Sequence, residues 1–99
     1  MIQFVWEFFA RKDRIGEFER YYSSAGDWAK LFHKSPGYRG TVLLRDAEQP
    51  NRYVTIDTWD GPELYQRMRN DFADEFERLE RTCEAFTEGE RRLGAFEVL

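Results

Sequence analysis

The segment Arg52 to Trp59, RYVTIDTW, alternates with a period of two and is broken at once by Asp60-Gly61-Pro62. Tyr53, Thr55, Asp57 and Trp59 share one side and Val54 and Ile56 the other, the pattern of a β-strand. Pro62 has no N–H to lose and suits the first turn of a helix. Asp60, with Glu63 three residues on, has capping-box spacing. A strand ending in an aromatic residue thus runs directly into a helix that carries Tyr65.

The flanking segments alternate between the two periods. In Ile2 to Phe9, an apolar set (Ile2, Phe4, Trp6, Phe8) opposes a mixed one (Gln3, Val5, Glu7, Phe9), again a strand. Ile15, Phe18, Tyr22, Ala25, Ala29 and Phe32 step by three or four, and Gly26-Asp27 interrupts them. The spacing predicts helices over 13–24 and 27–33. After the turn Ser35-Pro36-Gly37, residues 38–45 alternate, with Tyr38, Gly40, Val42 and Leu44 opposed to Arg39, Thr41, Leu43 and Arg45. A five-residue loop, 46–50, closes a hairpin with Arg45 opposite Asn51, Thr41 opposite Thr55 and Arg39 opposite Asp57. Tyr65, Met68, Phe72, Phe76, Leu79, Cys83 and Phe86 predict a helix over 61–86, kinked near Asn70-Asp71. Thr87 with Glu90 predicts one more helical turn, and 95–99 a last strand.

The order β-α-β-β-α-β in 99 residues makes one domain, residues 1–99, of ferredoxin-like α+β class. The expected sheet is antiparallel with strands in the order 4-1-3-2 and both helices on one face. The apolar sets (Phe4, Trp6, Phe8, Val42, Leu44, Val54, Ile56, Phe96, Val98) are expected beneath the helices. The other face would carry Val5, Phe9, Leu43, Tyr53, Trp59 and Leu99 beside Glu7, Arg39, Thr55, Asp57 and Glu97. It is too apolar for water, so a partner sheet, and hence a homodimer, is expected.

Composition narrows the function. A net charge of −4 argues against a phosphate-backbone partner, and RYVTIDTW lacks the basic-Gly-aromatic motif of RNA-binding domains. No apolar run is long enough for a membrane span. Met1 leads straight into the strand pattern with no signal-peptide pattern, and one cysteine fits a reducing compartment, so a cytoplasmic protein is expected. His33 is the only histidine, which speaks against a metal site. It reads as a helix-end residue, and Cys83 as a buried thiol. Glu7 and Asp57 are expected as neighbours on the mixed face, either as a proton-transfer pair or neutralised by Arg39. Trp59, Tyr65, Tyr53 and Trp6 read first as ordinary aromatic packing, and they also offer ring surfaces for a flat ligand.

With these segments in view, the chain resembles the antibiotic biosynthesis monooxygenase family of the dimeric α+β barrel superfamily. The likeness runs through VWEFFAR, EFERYY, GDWAKLF, GYRGTVLLRD and RYVTIDTWDGPELY. It includes the W-D/S-x-x-x-[FY] turn, here Trp59 to Tyr65 with one extra residue. The resemblance implies a homodimer whose sheets close into a barrel. It also implies oxygenation of a phenol, anthrone or quinol by O₂, with no metal and no bound cofactor. Polyketide-modifying members line their pocket with an Asn four residues before the strand-three Trp and a Tyr six residues after it. Trp59 and Tyr65 match these as the catalytic pair, and Thr55 stands at the Asn position. Thr55 would then be a weak positioning group for the substrate, with the rings of Trp6 and Tyr53 beside it and Asp57 or Glu7 as the base where the pocket opens toward the mixed face. Haem-degrading members use an Asn, a Trp and a His where this chain has Phe8, Met68 and Arg78, so haem is not the expected substrate. The alternative expectation is a non-catalytic dimeric module of the same fold that binds a small molecule or serves a structural role.

Overall fold

The computed structural model describes residues 1–99. Strand β1 (Ile2–Ala10) is followed by helices α1 (Ile15–Tyr22) and α2 (Asp27–Phe32) and the hairpin β2 (Tyr38–Arg45) and β3 (Arg52–Trp59). Helices α3 (Pro62–Asp71) and α4 (Ala73–Cys83) and strand β4 (Thr87–Glu97) complete the chain. The sheet has the order β2-β3-β1-β4, antiparallel throughout, as expected from the ferredoxin-like pattern. The long helical stripe is broken at Phe72, one residue past the expected kink. No helix is long and apolar enough to cross a membrane.

Three local expectations are corrected. Residues 87–97 form one long edge strand rather than a helical turn and a short strand, because they pair with the whole of β1. The β2–β3 register is two residues away from the expected one: Arg45 lies opposite Tyr53, Leu43 opposite Thr55 and Thr41 opposite Asp57. The loop is longer because the Asp46 carboxylate accepts from the amides of Glu48 and Gln49, and Arg52 N–H donates to Gln49 C=O. Third, Gly61 caps α3, while the Asp60 carboxylate is held by Arg39 at 2.6 and 3.0 Å.

The assignment of sheet faces also changes. In the β1–β3 ladder Phe4 lies opposite Asp57, Trp6 opposite Thr55 and Phe8 opposite Tyr53. Directly opposed residues share a face. Tyr53, Thr55, Asp57 and Trp59 therefore lie beneath the helices with Phe4, Trp6 and Phe8. Val5, Val42, Leu44, Val54, Ile56 and Phe96 lie on the open face. There Val42, Leu44 and Phe96 remain about half exposed, at 51%, 48% and 52%. Glu7 is on this face too, buried between Arg52 at 2.7 Å and Arg91 at 3.3 Å. Glu7 and Asp57 are thus on opposite sides of the sheet, and Arg39 neutralises neither.

Beneath the helices the core has two parts. Phe4, Leu31, Phe32, Tyr38, Trp59, Met68 and Phe76 form one. Phe8, Phe18, Tyr22, Tyr53, Cys83 and Phe86 form the other, and Trp6 and Trp28 pack against both. The α1–α2 joint sets the position of Trp28. A Cβ on Gly26 would land on the backbone carbonyls of Arg20 and Tyr21, 2.6 Å from the latter. Gly26→Ala is therefore expected to push α2 away and to cost about 1–3 kcal/mol, as overpacking does. Urea unfolding measures it, and an unchanged midpoint would show that the two helices approach less closely.

Candidate functional site

A cavity of about 100 Å³ lies at the seam between the two core clusters. Its floor is the sheet: Phe4, Trp6 and Phe8 of β1, Thr41 of β2, and Thr55 and Asp57 of β3. Its walls are Tyr22, Trp28, Phe32, Tyr65, Phe76 and Cys83 from the helices. Glu80 of α4, Glu84 at its C-cap and Thr87 and Glu90 of β4 complete the lining. Rings dominate because the apolar stripes of α1, α2 and α4 all point at the aromatic side of β1. The polar groups come from the β2–β3 hairpin, whose register turns Thr41, Thr55 and Asp57 inward.

The most unusual of these groups is Asp57. It is largely buried among rings, and loss of water raises its carboxyl from the ordinary 3.8 to about 6, against the opposing effect of a hydrogen bond from Thr41. Thr41 Oγ1 donates to Asp57 Oδ1 at 2.6 Å. That uses the single Thr41 proton, so the contact between Tyr38 and Thr41 has the Tyr38 phenol as donor. Tyr38, Thr41 and Asp57 thus form a hydroxyl–hydroxyl–carboxylate chain, and burial raises the Tyr38 phenol above its ordinary value. The chain exists because β2 bulges between Tyr38 and Gly40, where Gly40 has φ +127°. Without that extra residue Tyr38 would face away from Thr41.

Of the six residues expected at the site, Tyr65, Thr55, Trp6 and Asp57 line the cavity, and Trp59 and Tyr53 do not. Trp59 is fully buried behind Tyr65, its ring 5.7 Å away and nearly perpendicular, and it also packs on Phe32 and Tyr38. Its indole N–H has no hydrogen-bond partner. Trp59 therefore positions Tyr65 rather than forming the wall. Tyr53 is buried in the second cluster, its phenol bonded to Glu19 and raised to about 12, chiefly by burial. His33 caps the end of α2, exposed, with its ring on Tyr38. The thiol of Cys83 is buried as expected, and burial raises its pKa. Sequence reading missed Tyr22, Trp28, Phe76 and Thr41, whose apolar or alternating positions mark them as interior but not as bordering a void.

Fold and cavity together define a ferredoxin-like α+β domain with an aromatic pocket between sheet and helices and one buried, proton-accepting carboxylate. Among solved structures the chain is similar to SnoaB, a cofactor-independent oxygenase from Streptomyces nogalater. The identity is 24%, over 99% of this chain and 92% of that one, with a TM-score of 0.74. It is also similar to a protein named an antibiotic biosynthesis monooxygenase, at 16% identity over 100% and 99% of the two chains and a TM-score of 0.71. The chain thus has the fold of the family it resembles in sequence. No family model matches it, and no curated relative does.

Asp57 carries a stability consequence. A raised carboxyl pKa means the folded protein holds a proton that the unfolded chain releases near 3.8. Asp57 therefore destabilises the fold increasingly as pH rises from about 4 through about 6, and not below that range. Asp57→Asn removes this penalty. The variant is expected to be more stable than the wild type by about 2–3 kcal/mol at pH 7.5, the difference vanishing toward pH 4. Urea unfolding at both pH values measures this. A gap that does not grow with pH would mean Asp57 is well solvated.

Proposed function

We propose that this chain is a cofactor-independent oxygenase of flat phenolic, anthrone or quinol-like molecules. The observation that carries the reading is Asp57, a carboxylate poised near neutral pH at the floor of a cavity walled by rings. A general base works best with a pKa near the working pH. Asp57 takes the phenolic proton of a ring stacked among Trp6, Phe8 and Trp28, and the Thr41–Tyr38 chain keeps the carboxylate oriented. Tyr65 and Thr55 offer hydroxyl donors to the developing charge. The electron-rich anion then gives electrons to O₂. Where a ring CH₂ becomes C=O, one oxygen atom enters the product and the other leaves as water. The substrate supplies all four electrons, so no external reductant enters. Trp59 acts through Tyr65. The single free cysteine is compatible with a cytoplasmic setting.

Oxygen uptake with a panel of anthrones and quinols, without added metal or flavin, tests this. Turnover is expected, with kcat reduced about 10²–10⁴-fold in Asp57→Asn. Tyr65→Phe is expected to fall less, since only one donor is lost. Uptake that survives in Asp57→Asn would remove Asp57 as the base. Tight binding without uptake across the panel would make the protein a binding module of the same fold.

The proposal includes a homodimer through the open sheet face. The apolar side chains there sit in a continuous sheet surface around the Glu7–Arg52–Arg91 cluster, and a second sheet would cover them. Light scattering at micromolar concentration is expected to give twice the chain mass. Val54→Asp is expected to abolish the dimer, and a wild-type monomer under these conditions would refute it.

A further inference from the structure

Glu80, Glu84 and Glu90 lie among the cavity-lining residues with Asp57, and no lysine, arginine or histidine does. Glu80 and Glu84 are one turn apart, so they share a side of α4, at its C-terminal end. Glu90 faces the cavity from β4, opposite Phe8 in the β1 ladder. None of the three has a cationic partner within 4 Å. Partial desolvation at this position, with repulsion from Glu80 and Glu84, holds the Glu90 carboxyl above its ordinary value. Two guanidinium groups rest on lining rings, Arg69 4.0 Å from the ring centre of Phe76 and Arg92 5.1 Å from that of Phe4, and neither is paired with any of the three carboxylates. The three carboxylates do not converge into a cluster that could hold a metal ion. They act instead as a negative field over an apolar opening, which the low-dielectric walls concentrate.

The opening of the cavity brings a ligand into that field. The cavity is open on one side, and Glu80, Glu84 and Glu90 are its exposed lining residues, so whatever part of a ligand extends beyond the interior passes these carboxylates. We propose that the cavity selects aromatic compounds bearing a cationic group, such as a protonated amine on a short arm, and rejects their carboxylate counterparts. The phenolic part of this substrate class rests on the oxygenase reading; the charge selection rests on the cavity alone. The chemistry gives a second reason. Proton transfer to Asp57 moves the negative charge onto the substrate ring, and a cation carried by the substrate stabilises that anion beside the three remaining carboxylates.

Three probes of one shape test the selection: tyramine, 4-ethylphenol and 3-(4-hydroxyphenyl)propionate. Binding is followed by calorimetry and by quenching of Trp6 and Trp28 fluorescence at pH 7.5 and low ionic strength. Tyramine is expected to bind at least tenfold more tightly than 4-ethylphenol, and the propionate more weakly still. The preference should shrink with added salt and collapse in Glu80→Gln/Glu84→Gln/Glu90→Gln. Equal affinities in the wild type, a ranking unchanged by the triple substitution, or no tyramine binding at millimolar concentration would overturn the proposal. If the triple variant does not fold, the wild-type ranking and its salt dependence decide. Oxygen uptake is recorded separately: selection without uptake defeats only the oxygenase reading, and uptake without selection defeats only this one.

Discussion

The pairing of β1 with β3 governs everything built on this sheet. Phe4, Trp6 and Phe8 bring rings to the helix side, and the same ladder sets Asp57, Thr55 and Tyr53 directly beside them. A slip of one residue would turn Val54 and Ile56 inward and place Asp57 outside, because side chains alternate strictly along a strand. The interior would then be a dry aliphatic core with no proton acceptor. The register is held at both ends. Ile2 lies opposite the fully buried Trp59 at one end, and at the other Arg52 of β3 reaches across to Glu7 of β1.

The element order was legible from changes of hydrophobic period, the strand order from the usual arrangement of a β-α-β-β-α-β chain, and the break in the long helix from Asn70-Asp71. The two faces were not. On β3 one side offers Tyr53 and Trp59 with two polar residues, the other Val54 and Ile56, and apolar content alone favours Val and Ile inside. That rule assumes one face is wet. Here the open face is itself strongly apolar, so both sides of β3 compete for the interior and only the ladder decides. The Thr87–Glu90 spacing misled for a related reason. It is a local helical signal, and its residues are recruited instead into a strand that pairs with β1 from Ile2 to Ala10.

Site residues divide the same way. Trp6 could be named from its ring and Tyr65 from the joint after Trp59. Thr55 rests instead on the family resemblance, and the expectation from strand alternation puts both Thr55 and Asp57 on the face opposite to the one the ladder gives them. Tyr22 shares its helical stripe with Phe18, and Phe76 and Cys83 share theirs with Phe86, and periodicity does not separate a residue that borders a void from one that fills it. Nor does a pattern reveal a bulge. One residue out of step at Arg39–Gly40 brings the Tyr38 phenol to Thr41 and so completes the hydrogen-bond chain to Asp57.

The arrangement is poor as a core, which is what gives it meaning as a site. A domain selected for stability alone has no reason to leave a carboxylate under a ring cluster with one hydrogen bond, or two indole N–H groups without partners. Nor does it need three unpaired carboxylates around one opening. The buried groups cost stability, and each of these features lies in the cavity wall or directly behind it. Desolvated polar groups gathered at one place, in a small domain otherwise packed ring on ring, are the features that the proposed binding and proton transfer would use. Asp57 shows the logic most directly: the desolvation that raises its pKa is both the destabilising term and the source of its basicity near neutral pH. A solvated carboxylate at the same position would carry no such penalty and, at its ordinary 3.8, would be the weaker base.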